Sequence, residues 1–74
     1  MSKLPRDLPP RKVIRALKKA GFYVKRTKGS HTIMQRDDPF ARTIVPVHSK
    51  VPTGILSEIL KAADLSVEEL LSLL

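Results

Sequence analysis

The amino-acid sequence predicts an α+β domain in two layers, a three-stranded antiparallel sheet with helices packed on one face. Three observations predict it. An apolar stripe of helical period stands near the start, three short segments with strand character follow it, and a second helical stripe comes after them. Consecutive strands joined by tight turns pair antiparallel, and helices before and after them collect on one face. The 74 residues are read as a single domain, 1–74, with one thin core.

Residues 1–8, with Pro5 and mixed charges, are expected to form a flexible lead-in. A helix is expected over 9–20. Pro9 and Pro10 suit its first turn, where a missing amide loses no bond. Val13, Ile14, Leu17 and Ala20 fall on one face, while Arg11, Lys12, Arg15, Lys18 and Lys19 take the rest. Gly21 ends the helix, because glycine adopts a left-handed cap at least cost. The sheet is expected over 22–48. Phe22 and Val24 alternate with Tyr23 and Lys25, Lys28-Gly29-Ser30 turns the chain, and His31 to Asp37 returns. Asp38-Pro39-Phe40-Ala41 breaks that strand, and Arg42 to His48 forms the third. Pro46 inside it fits an edge strand, or a position whose amide faces away from the partner. A helix over 53–63 takes Thr53 as its N-cap and carries Leu56, Ile59, Leu60 and Ala63 on one side. Ser66 and Glu69 have the spacing of a capping box, which restarts a short helix over 66–74 with Leu70, Leu71, Leu73 and Leu74.

If residues 38–41 close the second hairpin, Asp37 faces Arg42 and, stepping back, His31 faces His48. The two imidazoles would be cross-strand neighbours with Cβ atoms roughly 4.5 to 5.5 Å apart. Closing the first hairpin at Gly29 pairs Arg26 with Thr32 and Val24 with Met34. Together these registers turn Phe22, Val24, Thr32, Met34, Val45 and Val47 toward the helices. Tyr23, Lys25, Thr27, His31, Ile33, Gln35, Ile44, Pro46 and His48 share the open face.

Charge is segregated along the chain. Residues 1–50 hold 13 of the 14 Lys and Arg against Asp7, Asp37 and Asp38, a balance of +10. Residues 51–74 hold Lys61 against Glu58, Asp64, Glu68 and Glu69, a balance of −3. Such a field attracts nucleic acid or an acidic protein. The sequence has no Cys, which excludes disulfide staples and thiolate metal sites and fits a reducing cytoplasm. No run approaches the roughly 20 apolar residues of a membrane span, and the first residues lack the apolar centre of a signal peptide. A soluble, cytoplasmic chain with no membrane partner is expected.

Together with that face, Lys25, Arg26 and Lys28 can neutralise phosphates and Tyr23 offers a ring for a base. Gly29 and Ser30 add backbone and hydroxyl donors. A histidine, with an ordinary pKa of about 6.5, exchanges protons near neutral pH. Attack of a ribose 2′-hydroxyl on its neighbouring phosphate demands such an exchange. That chemistry needs no metal or small-molecule cofactor, and two histidines without an acidic cluster make a poor magnesium or zinc site. Taken alone, a histidine beside a turn is more simply a surface residue, and rows of Lys and Arg a solvated face.

Four segments carry a resemblance. They are Arg11-Lys12-Val13-Ile14-Arg15-Ala16-Leu17-Lys18-Lys19-Ala20-Gly21-Phe22, Lys28-Gly29-Ser30-His31, Val45-Pro46-Val47-His48 and Gly54-Ile55-Leu56-Ser57-Glu58-Ile59-Leu60-Lys61. In that order and spacing, over about residues 9–70, the chain resembles the HicA (YcfA-like) toxin family. The resemblance implies a fold similar to the double-stranded RNA-binding domain. It implies the toxin of a type II toxin–antitoxin system, a metal-independent endoribonuclease that cuts messenger RNA. The family's catalytic histidine maps onto His31, with Gly29 and Ser30 presenting it. His48 matches the third-strand histidine, for which proton transfer, phosphate contact and a structural hydrogen bond all stay open. The resemblance also implies a HicB-type antitoxin that binds the toxin and hides the histidine. Where the family often has an aromatic residue or a second histidine just after His31, this sequence has Thr32, Ile33 and Met34.

Two other readings share these residues. One is a non-catalytic module that grips double-stranded RNA by shape and charge. The other is a structural partner whose Ile33, Ile44 and Pro46 face another chain.

Overall fold

The structure, a computed structural model, describes residues 3–74. Helix α1 (Pro10–Lys19) leads into strands β1 (Tyr23–Lys28), β2 (His31–Asp37) and β3 (Phe40–Pro46), followed by helices α2 (Thr53–Ala63) and α3 (Val67–Leu73). The strands form one antiparallel sheet in the order β1-β2-β3. This is the two-layer α+β order that the sequence predicts, and it fits the double-stranded RNA-binding-domain-like fold that the resemblance implies. No described helix is long and apolar enough to cross a membrane.

Local chemistry sets the helix limits. Pro10 occupies the first turn of α1, where its missing N–H has no partner to lose. At the other end Gly21, with φ +95°, turns the chain. The Phe22 N–H then reaches the Leu17 carbonyl at 3.0 Å and the Gly21 N–H that of Lys18 at 3.0 Å, a Schellman closure that folds Phe22 back onto buried Leu17. Helix α2 ends in the same way, with Asp64 in the left-handed conformation and the Leu65 N–H bonded to the Leu60 carbonyl. Its start differs from expectation: Pro52 is the N-cap, Thr53 lies inside the first turn, and no side chain caps it. Helix α3 opens with the predicted capping box, Ser66 and Glu69 each accepting the other's backbone N–H at 3.0 and 2.9 Å.

The core lies between the helices and one sheet face. Leu17, Met34, Leu56, Leu70, Val13, Val45 and Val51 are its largest fully buried side chains. Ala16 and Ala41 also lie inside, where small side chains let α1 and β3 come close. Thr43, buried on β3, donates its hydroxyl to the Ile59 carbonyl at 3.0 Å and ties that strand to α2. The expected flexible lead-in is in part packed: Leu4 and Leu8 lie against the core, and the Leu8 carbonyl accepts the Val51 N–H at 2.8 Å. Its first two residues lie outside the described residues.

Val24 and Val47 leave the predicted inward set. Val24 pairs with Met34, yet it is 41% exposed because the helices pack on β3 and do not extend over β1. Val47 lies past the end of β3 and is 38% exposed.

Both hairpins are tighter than expected. Phe40 and Ala41 rejoin the ladder, so the second turn has two residues, Asp38 and Pro39, and β3 spans 40–46 in place of 42–48. The register moves by two. His31 therefore faces Pro46 and not His48, while the inward set Thr32, Met34 and Val45 is unchanged because a two-residue slip preserves faces. In the first hairpin the two-residue loop Gly29-Ser30 pairs Lys28 with His31, and a bulge between Val24 and Arg26 absorbs Lys25. Arg26 then pairs with Ile33 in place of Thr32, and Thr27 with Thr32. Arg26 and Lys28 consequently share His31's open face, and Thr27 moves to the other.

Candidate active site

His31 is the first residue of β2 and is exposed. Its position is set by two turns of backbone bonding. On one side Gly29 is the first residue of the loop, with φ +59°, as a type II′ hairpin turn requires. On the other, Pro46 has no N–H, so His31 and Pro46 can only form the non-hydrogen-bonded kind of pair, which brings Cα atoms to roughly 4.5 Å. The 2.7 Å bond from the Val47 N–H to the Ser30 carbonyl is the next rung of that ladder. Pro46 thus loses no sheet bond, since its nitrogen faces away from β2 on an edge strand. In the alternation along β2, His31 then bonds toward β1, opposite Lys28.

A shallow depression of about 490 Å³ surrounds this corner, lined by Lys28, Gly29, Ser30, His31, Ile33 and Ile44. One imidazole, one ammonium and the donors of a turn thus meet above two isoleucines. The predicted Lys28, Gly29, Ser30 and His31 come together there. Ile33 and Ile44, which face each other across β2 and β3, supply an apolar floor.

The other predicted residues stand elsewhere. His48 is exposed in the bend after β3. The Val47–Ser30 bond holds it near the hairpin end, but it does not line the depression. Tyr23 shares the open face with His31 yet pairs with Gln35, four residues along β2, or roughly 13 Å at the usual strand rise. Same face is not same place. Its hydroxyl donates to the Asp37 carboxylate at 2.9 and 3.1 Å and accepts from Gln35 Nε2 at 3.1 Å. Arg42 holds Gln35 in turn, its Nη2 donating to Gln35 Oε1 at 2.8 Å. Lys25 sits in the bulge, and its charge acts on Asp37.

This second cluster, which sequence reasoning missed except for Tyr23 and Gln35, shifts two titrations. Hydrogen bonds from Gln35 and then Tyr23 hold the Asp37 carboxyl below its ordinary range, with Lys25 adding to the effect. The bond to Asp37 pushes the Tyr23 hydroxyl up. Tyr23, Gln35 and Arg42 form one cross-strand row with Asp37 two residues along β2 on the same face, a grouping visible only once the register is known.

Among the described residues no group of three His, Cys, Asp or Glu side chains is placed to hold a metal ion. The exposed cations of α1, Arg11, Lys12, Arg15, Lys18 and Lys19, add to the positive surface without an acidic residue in that helix.

No curated protein matches the chain. The family model described as HicA toxin of bacterial toxin-antitoxin matches residues 10–65, which runs from the first turn of α1 to the residue after the α2 cap and takes in the whole sheet and the corner at His31. Family membership carries with it an RNA target and a cognate antitoxin, both of which suit a basic chain with an exposed histidine. With more than half its length under that model, and with the predicted order of helices and strands in place, this chain belongs to the HicA toxin family of bacterial toxin–antitoxin systems.

Proposed function

We propose that the chain is an endoribonuclease that cuts messenger RNA at the Lys28–His31 corner, works in the cytoplasm and is neutralised by a HicB-type antitoxin. The observation that carries this reading is an exposed imidazole opposite an ammonium at an open hairpin end, in a chain of net charge +7. The ribose 2′-oxygen attacks the adjacent phosphorus, its proton leaves, and the P–O5′ bond breaks as the 5′-oxygen takes up a proton. Products are a 2′,3′-cyclic phosphate and a free 5′-hydroxyl. His31 performs one of the two proton transfers, as general base or general acid. Lys28 and the turn donors of Gly29 and Ser30 hold the phosphate whose charge grows in the transition state. No step requires a metal.

Tyr23 and Lys25 take the strand farther along the open face, Tyr23 by stacking and Lys25 by phosphate contact. His48 serves the second proton transfer or a phosphate next to the scissile one.

The test is a gel of purified protein with RNA in EDTA beside its His31→Ala variant. Cleavage by the first and intact RNA with the second are expected, with a loss of about 10²–10⁴-fold for removal of a general acid or base. Binding without cleavage by either protein would assign the chain to the non-catalytic RNA-binding reading. For His48→Ala, a slowed single-turnover rate with folding intact is expected, and an unchanged rate removes His48 from the chemistry.

A further inference from the structure

Among the described residues no strand pairs with either outer edge of the sheet, and the two edges differ. β1 is interrupted by the bulge at Lys25 and carries Arg26 and Lys28, features that deter an incoming strand. β3 runs in unbroken register from Phe40 to Pro46. Arg42 and Ile44 have the same phase as Pro46, so their N–H and C=O groups point away from β2, toward solvent. The side chains beside that edge are apolar: Ile44 is 50% exposed and Ile55 of α2 43%. Between β3 and α2 lies a groove of about 370 Å³, lined by Ile44, Ile55, Ile59 and Ala62, with Arg42 and Glu58 as its charged members. Ile44 also lines the depression that holds His31.

We infer that the edge of β3 receives an extended segment of the cognate antitoxin as a fourth strand. Alternate side chains of an added strand fall on opposite faces. One set enters the groove against α2, and the other lies on the open face beside Ile44, walling off the His31 depression. Main-chain bonds from Arg42 and Ile44 supply the pairing. An acidic segment with apolar alternation meets both the groove and the net charge of +7. A second copy fits poorly, because it brings another +7 and sets two Arg42 side chains on one short edge. The inference rests on the antitoxin reading above and adds where and how that protein docks.

The test is amide exchange by NMR on the His31→Ala chain, free and in complex with the product of the reading frame adjacent to its gene. Exchange at Arg42 and Ile44 should slow at least tenfold on binding, and by more than at Thr43 and Val45, which already bond to β2. In parallel, Arg42→Pro should weaken the complex about tenfold relative to Arg42→Ala, since only the first removes an outward donor. Pro46 shows that this phase of β3 accommodates proline. The exchange comparison uses an unaltered edge, so it decides the matter even where Arg42→Pro does not fold. Protection on α1 with none at 42 and 44 overturns strand addition and leaves the antitoxin reading standing. Absence of any complex overturns both. Protection of both amides in the free chain, rising with concentration, assigns the edge to a second copy and overturns the inference.

Discussion

Presentation of His31 depends on the backbone at Gly29, two residues before it. The residue has φ +59°, and a Cβ built there meets no heavy atom within 4 Å. A Gly29→Ala substitution therefore creates no clash, and its cost is that of holding an L residue in a conformation it avoids, about 1–2 kcal/mol. For a domain of this size each kcal/mol moves the thermal midpoint by roughly 4–8 °C, so a fall of about 4–16 °C is expected. The control is D-alanine at position 29, accessible by chemical synthesis of 74 residues. It carries the same Cβ but prefers positive φ, so it should equal glycine or exceed it by about 0.4–1 kcal/mol through a less flexible unfolded chain. Thermal unfolding followed by circular dichroism reads all three proteins. If L-alanine were as stable as glycine, or D-alanine as poor as L-alanine, the turn would not be held by backbone conformation and the reasoning would fail.

At the end of α2, Asp64 occupies the left-handed region with φ 57° and ψ 45°. Asp64→Gly should stabilise by about 1 kcal/mol, seen as a higher urea midpoint at unchanged slope. Leu56 is fully buried, and Leu56→Ala should cost about 2–5 kcal/mol, much of the stability of so small a domain. Asp37 is held below its ordinary value of 3.8, so its stabilising contribution is complete above that value and is lost as pH falls through the lowered one. Tyr23→Phe should bring the Asp37 titration back toward 3.8, measured by NMR on the carboxyl carbon, and should flatten that acid limb. The Tyr23 hydroxyl is raised above 10.0, so its contribution is present below that value and is lost as pH rises through the raised one; the same variant abolishes that alkaline limb.

Features of the fold that depend on a few adjacent residues were legible in the sequence. Pro10, Gly21 and the Ser66–Glu69 box act within one turn of chain, and each does what its chemistry predicts. Register was not legible, because it depends on how many residues a turn consumes. Phe40 and Ala41 follow a proline and look like loop, yet Ala41 is buried under the helices and draws β3 into pairing two residues earlier. The slip left the faces intact and separated His48 from His31. The bulge at Lys25 was invisible for a different reason: Lys25, Arg26, Thr27 and Lys28 are all polar, so no alternation marks which of them points outward. Val24 reads as core by period, but coverage by a helix is a tertiary fact that the strand does not encode. Of the site, Lys28 to His31 was readable because it is contiguous. Tyr23 was placed on the correct side of the sheet, whereas its distance from His31 needed the register.

The candidate site and the core meet along a single rung. His31 and Pro46 are flanked by Thr32 and Val45, which pair with each other and are 6% and 0% exposed. The alternation of a strand thus puts chemistry and packing on neighbouring residues with opposite faces. The residues lining the His31 depression lie outside the buried cluster, so replacing His31 opens no cavity in the core. Val45 is the reverse case: trimming it leaves every open-face group in place but loosens the rung that fixes Pro46 opposite His31. A loss of cleavage at position 31 with unchanged stability, and a coupled loss of both at position 45, is the pattern this geometry requires.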